Sequence, residues 1–167
     1  MNNRMKFVID AELCTGCRAC ELACSFAKDG VFAPSKARIK IVKMDEDGHD
    51  VPVGCLHCDP APCMLACPTR ALRRDAHGAV LLIDERCIGC RQCILACPFG
   101  AVQHDDRRGV YKCDLCDGAP ECIKWCFTQA LSMQHGNAPS KKKRFKTAEE
   151  YVKSYREKSR MGEARAP

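Results

Sequence analysis

The sequence contains no run near the ~18 consecutive apolar residues that a membrane span needs, so no segment is expected to cross a bilayer. Its opening residues, MNNRMKFVIDAEL, hold no apolar stretch of the secretory kind, which makes the cytoplasm the expected compartment. Aromatic residues are scarce, 6% of the chain with one tryptophan, so a core of large apolar side chains would be thin. No glycine-rich loop follows a strand-like run and opens a helix-like one, which leaves flavin or nicotinamide binding without support. Nor is there a Ser/His/Asp set or a spare cysteine to serve as nucleophile. These gaps exclude a membrane anchor, a nucleotide-binding dehydrogenase and a hydrolase, and they point to a chain that is not itself an enzyme.

What the sequence does have is cysteine, 16 in 167 residues. Such density belongs either to a disulfide scaffold or to a metal protein. Tight C-x-x-C pairs in a chain without a visible export signal favour metal. Metal groups would then supply much of the missing core, metal binding would be folding free energy, and the apo chain is expected to be largely disordered.

Charge adds a further exclusion. The formal net charge is +6, but residues 1–140 carry 17 basic and 17 acidic side chains, and the ten basic and four acidic residues from Lys141 onward hold the whole excess. Four thiolate-bound clusters at about −2 each would leave the loaded protein slightly acidic. A nucleic-acid partner is therefore not expected.

Every cysteine falls into one of four groups. They are CTGCRACELAC (Cys14, Cys17, Cys20, Cys24), CLHCDPAPCMLACP (Cys55, Cys58, Cys63, Cys67), CIGCRQCILACP (Cys87, Cys90, Cys93, Cys97) and CDLCDGAPECIKWC (Cys113, Cys116, Cys122, Cys126). The first and third share C-x-G-C-R-x-C-x-L-A-C, and the second and fourth share C-x-x-C-D-x-A-P with a longer gap before the third cysteine. This is an internal repeat of an AB–AB kind. Structural zinc typically uses two C-x-x-C pairs separated by a longer spacer, whereas each group here places four cysteines within 11 to 14 residues. The third group is the run of bacterial two-cluster ferredoxins, in which three thiolates hold one cubane and the fourth reaches a neighbouring one. Four complete groups imply four [4Fe–4S] clusters. A structural zinc scaffold or adaptor is the alternative from another class.

Strand-like runs at 6–9, 38–44, 50–53, 71–74, 79–83, 101–104 and 110–112 lead into the groups or flank the turn signals DEDGHD, DAHG and DDRRG. The third and fourth cysteines of each group are four apart, one turn of a short helix, so helices are expected over 18–27, 62–66, 91–96 and 120–126. Short helices and hairpins around metal make an α+β fold. After Leu131, SMQHGNAPSKKKRFK reads as a polar, basic linker. Thr147 and Glu150 then form a capping box for a helix over 148–160, with Tyr151, Val152 and Tyr155 on one side. Lys153, Arg156, Lys158 and Arg160 bias its later turns positive.

On its four cysteine motifs the chain resembles the four-cluster, ferredoxin-like electron-transfer subunits that serve molybdenum and tungsten oxidoreductases, hydrogenases and carbon monoxide dehydrogenases. The resemblance runs from Met5 to about Leu131. It implies two interleaved bacterial-ferredoxin-like modules within a domain at 1–135, followed by a linker at 136–146 and a helix and tail at 147–167. The inner module, about 50–104, would come from the second and third groups; the outer module, from 5–30 and 108–131, would come from the first and fourth. The implied ligand sets are Cys14, Cys17, Cys20 with Cys126; Cys113, Cys116, Cys122 with Cys24; Cys55, Cys58, Cys63 with Cys97; and Cys87, Cys90, Cys93 with Cys67. Spacing alone equally allows sequential pairing, first group with second and third with fourth. The implied partners are a catalytic molybdenum or tungsten pterin subunit and either a flavin-containing acceptor subunit or a carrier; the small size most resembles the iron–sulfur subunit of tungsten aldehyde oxidoreductases. Ser25 and Phe127 depart from the pattern, standing where Pro68 and Pro98 follow the fourth cysteine of the other groups. Looser helix ends are expected there.

Among the other residues, His57 is expected to be a partly exposed filler and Trp125 to pack over a cluster. Arg18 and Arg91 are expected in surface ion pairs, and Gly16 and Gly89 to let the chain wrap tightly. The basic tail favours a subunit that docks to a partner, or to a second copy of itself, over a free diffusible polyferredoxin.

Overall fold

The computed structural model describes residues 5–46 and 48–135. The linker from residue 136 and the helix expected after Thr147 lie outside the described residues. Strand β1 (Met5–Ile9) leads to α1 (Ala19–Asp29), then to a hairpin of β2 (Lys40–Met44) and β3 (His49–Val53). Helix α2 (Pro62–Leu65) precedes the hairpin β4 (Leu72–Arg74) and β5 (Val80–Leu82), and α3 (Gln92–Leu95) precedes β6 (Val102–Asp105) and β7 (Gly109–Lys112). Helix α4 (Glu121–Lys124) and β8 (Leu131–His135) complete a small mixed helix-and-strand fold.

Local chemistry explains the turns. Asp75 closes the β4–β5 hairpin by accepting the Ala79 amide on its carboxylate at 2.8 Å. Asp105 closes β6–β7 by accepting the amides of Arg107 and Arg108 at 2.9 and 3.1 Å. Both are side chain–backbone turns of the kind aspartate favours.

Two features differ from expectation. SMQH, read as linker, is strand: β8 pairs antiparallel with β1, Leu131 opposite Ile9 and Gln134 opposite Lys6. Its signal was hidden because only Leu131 and Met133 alternate as apolar residues, among Ser132 and Gln134. This pairing joins the first and last described segments. The second difference is at Ser25. Without a proline there, α1 runs on to Asp29 and ends at a left-handed Gly30, whose amide reaches the Phe26 carbonyl at 2.8 Å. Ser25 is fully buried, donates to the Leu22 carbonyl and accepts the Ala33 amide, both at 3.1 Å. That helix end is therefore longer and tied down rather than loose. At Phe127 the missing proline changes nothing in length, since α4 already stops at Lys124.

Apolar burial divides into two clusters. One gathers Phe7, Ala37, Ile39, Ile41, Leu115 and Leu131 around Cys20, Cys24 and Cys122. The other gathers Ala61, Leu72, Val80, Val102 and Val110 around Cys63 and Cys93. Helix α1 packs on α4, and α2 on α3. Glu21, 3% exposed, ties α1 to β2 by accepting the Ile41 amide at 2.9 Å. Among the described residues no helix is long and apolar enough to cross a membrane.

Candidate metal centres

Each cysteine group turns on left-handed backbone. The residue two past the first cysteine is left-handed in all four: Gly16 (φ 64°), His57 (φ 48°), Gly89 (φ 69°) and Leu115 (φ 61°). The residue after the second cysteine is left-handed in three, at Arg18, Arg91 and Asp117. Such reversals curl the loop and point its amides inward, the geometry of an anion-binding nest. Gly16 carries a second constraint, since a Cβ would stand 2.1 Å from the Asp50 carboxylate and force it aside; at Gly89 the space is open.

The inward amides meet sulfur. Gly16 donates to Cys14 Sγ at 3.5 Å and Leu115 to Cys113 Sγ at 3.4 Å. The fourth cysteines are met by amides further along: Cys24 by Arg38 and Cys67 by Ala71, both at 3.2 Å, and Cys97 by Ala101 at 3.4 Å. Thr69 and Thr128 place hydroxyls 3.7 and 3.6 Å from Cys67 and Cys126. Such donors disperse the charge of a thiolate.

Burial follows the repeat. The third cysteine is buried in every group, Cys20 and Cys93 at 7% and Cys63 and Cys122 at 8% exposure. Second cysteines divide: Cys17 and Cys90 are exposed, Cys58 and Cys116 half-buried. Burial is the largest cause pushing the thiols up, Cys20 and Cys113 to about 12, and it also raises Cys24, Cys58, Cys63, Cys93 and Cys122. Cys67 is the exception: burial opposes its ionisation, but the Thr69 hydroxyl and the amides of Leu72, Ala71 and Thr69 outweigh it and hold the thiol low.

After burial, the thiols act on one another mostly in sets, with Cys113 the exception in feeling Cys55 ahead of Cys24. Cys20 feels Cys17 and Cys126. Cys24 feels Cys116, and Cys122 feels Cys113, Cys24 and Cys116. Cys58 and Cys63 both feel Cys55 and Cys97, and Cys93 feels Cys67 and Cys87. The remaining two are Cys14, packed against the first apolar cluster, and Cys90, exposed in its loop. One cavity is lined by Cys24, Cys55, Cys113, Cys116 and Cys122. Another is lined by Cys55, Cys58, Cys63, Cys97 and His57. Four or more thiols per cavity, a largely apolar lining and amides aimed at sulfur fit iron–sulfur clusters.

Three non-cysteine expectations meet the structure differently. His57 is not a partly exposed filler but 8% exposed, and its Nδ1 accepts the Val80 amide at 2.8 Å. Burial, then Lys112 and Arg74, lowers its ionisation to about 3. Trp125 caps α4 and stands half exposed at 50%. Arg18 and Arg91 do lie outward, Arg18 3.8 Å from Glu21 and Arg91 3.1 Å from the His104 ring. Sequence reasoning missed Lys112, 6% exposed, whose Nζ donates to the carbonyls of Val80 and Cys113. Its place immediately before Cys113 was the available signal.

Comparison with known proteins agrees with this chemistry. Residues 46–136 match the family described as 4Fe-4S dicluster domain, and residues 5–26 match the 4Fe-4S binding domain. The aliphatic sulfonate oxidoreductase, polyferredoxin-like subunit, of Pyrococcus furiosus is 38% identical over 142 residues, 82% of each chain. An iron-sulfur protein of Rhodospirillum rubrum is 37% identical, covering 86% of this chain and 88% of its own. The thiosulfate reductase electron transfer subunit of Salmonella typhi is 34% identical, covering 78% of this chain and 76% of its own.

Proposed function

The chain belongs to the 4Fe-4S dicluster domain family, and we propose that it carries electrons along a line of four [4Fe–4S] clusters in two interleaved modules. It is an electron-transfer subunit of an oxidoreductase complex, not the catalytic one. When bound, the clusters supply one-electron chemistry; the protein positions, insulates and tunes them.

The ligand sets of the reading are Cys14, Cys17, Cys20, Cys126; Cys24, Cys113, Cys116, Cys122; Cys55, Cys58, Cys63, Cys97; and Cys67, Cys87, Cys90, Cys93. The single observation that carries it is which cysteines line one cavity: Cys24 joins Cys113, Cys116 and Cys122, and Cys97 joins Cys55, Cys58 and Cys63; the thiols of Cys20 and Cys93 are raised by Cys126 and Cys67 in the same crossed sense. That crossing favours the interleaved pairing over a sequential one. Couplings of Cys122 with Cys20, of Cys113 with Cys55, which ranks ahead of Cys24, and of Cys93 with Cys63 link neighbouring sets in the order just given. The paired helices α1 with α4 and α2 with α3, and the β1–β8 closure, support the same layout.

The two end sets carry the exposed cysteines, Cys17 and Cys90. Large apolar side chains stand exposed within the same groups, Phe127 at 74%, Ile88 at 68% and Leu95 at 80%. These ends suit partner contacts. Relatives are named as subunits of oxidoreductases, which supports a catalytic partner; in the proposed layout it is a molybdenum or tungsten pterin subunit at one end, with a flavin-containing acceptor or a carrier at the other. A tungsten aldehyde oxidoreductase is the narrowest form.

Anaerobic purification from the native source tests this. The reading expects brown protein with broad absorption near about 400 nm, about sixteen iron and as much sulfide per chain, and a co-purifying subunit containing molybdenum or tungsten. Colourless protein with about four zinc per chain contradicts it.

A further inference from the structure

The four cages are not equivalent. The one lined by Cys55, Cys58, Cys63 and Cys97 has a histidine at the left-handed loop position where the other groups have Gly16, Gly89 and Leu115. Because His57 Nδ1 accepts the Val80 amide at 2.8 Å, the ring proton is on Nε2. That Nε2 is buried and has no hydrogen-bond partner among the described residues. An unpartnered buried donor is costly, and here it belongs to a ring lining the cage.

Arg74 braces the same loop: its side chain, 14% exposed, donates to the His57 carbonyl at 3.1 Å and to that of Cys58, with Asp59 as a more distant partner at 3.8 Å. Lys112, 6% exposed, holds the residue that His57 meets, donating to the Val80 carbonyl and, at 2.6 Å, to that of Cys113. Its charge reaches the thiols of Cys63 and Cys113. In the neighbouring cage the lining cations Lys28 and Arg38 are each paired with a carboxylate, Asp114 at 2.6 Å and Asp29 at 2.8 Å, and at one end cage Arg18 is 47% exposed.

Resting on the four-cluster reading, we infer that the cluster held by Cys55, Cys58, Cys63 and Cys97 is the highest-potential centre of the four, set there by the Nε2–H of His57 and the buried charges of Lys112 and Arg74. One added electron makes the cluster more negative, so a donor to its sulfur and nearby cations favour the reduced state. Electrons entering from either end collect at this inner site.

Redox titration followed by electron paramagnetic resonance tests it in wild type, His57→Leu, Lys112→Met and Lys112→Arg. Leucine fits the loop, since Leu115 holds the same left-handed position. The first signal to appear on reduction shifts to lower potential in His57→Leu and Lys112→Met, by about tenfold or more in the reduction equilibrium, about 59 mV, and Lys112→Arg restores it. In unmutated protein labelled with nitrogen-15 histidine, that first signal carries a weak nitrogen coupling. An unmoved first signal in both variants at wild-type iron content, or no coupling in the labelled protein, overturns the inference. If the four-cluster reading itself is wrong, the unmutated chain falls short in iron and sulfide, a separate outcome.

Discussion

Gly16 and Gly89 occupy equivalent loop positions but bear unequal constraints. Both have left-handed backbone, where a Cβ costs about 1–2 kcal/mol. Only at Gly16 does the added Cβ also run into the Asp50 carboxylate. Gly16→Ala therefore lowers the melting temperature and iron retention of the loaded protein more than Gly89→Ala; equal losses would contradict the close approach. Both glycines were legible in the sequence as C-x-G-C, whereas His57 and Leu115 in the same conformation were not, because nothing in their residue type announces a left-handed turn. The burial of His57 was hidden for the same reason: it depends on β5 arriving with Val80, a contact 23 residues along the chain.

The thiols set a pH dependence at this scale. The folded sites of Cys20 and Cys113 disfavour thiolate until a cluster is bound, since burial raises both to about 12. Ligation needs thiolates, so loading releases protons and is opposed by acid. Reconstitution with iron and sulfide yields more cluster per chain at pH of about 8.5 than at about 6.5, followed by iron analysis and absorption; a yield that falls as pH rises would contradict it.

At the scale of elements, the structure depends on two ties that cross the chain. One is the β1–β8 pair, which brings Phe7 and Leu131, 6% and 2% exposed, into the same apolar cluster as Cys20 and Cys122. Truncation after Ala130 removes β8. Iron then falls from about sixteen toward about eight per chain, with the two clusters of the 50–104 module kept; loss of all iron, or of none, would contradict separate cores for the two modules. The other tie is Asp29 at the end of α1. Its carboxylate meets buried Arg38 at 2.8 Å and also Arg108, and both guanidiniums lie 5.4 Å from the Tyr111 ring. Burial opposes ionisation of Asp29, but its bonds to Arg108 and Arg38 hold it below the usual carboxylate range. Asp29→Asn leaves Arg38 without its charge partner and costs about 3 kcal/mol, measurable by denaturant unfolding of the loaded protein. The hairpins and helices were legible to within a residue or three, because apolar alternation and the cysteine spacing mark them directly. The extension of α1 was legible only as a missing proline, and β8 scarcely at all, since a strand whose partner lies at the opposite end of the chain needs little apolar pattern of its own.

At the scale of the whole molecule, the cysteine groups announced iron–sulfur chemistry before any fold was known, and the related subunits support it. The pairing of groups was not legible from spacing, because each group has the same internal geometry and only tertiary contacts choose its partner. Differences among the cages were hidden too: they arise from Lys112, Arg74 and His57, brought together by the backbone of Val80 and its neighbours. A four-step wire within one chain can be counted in electrons by anaerobic reductive titration with a low-potential donor, followed by absorbance bleaching. Each chain then takes up about four electrons, one per cluster. Saturation at about two electrons, or no bleaching at all, would contradict it.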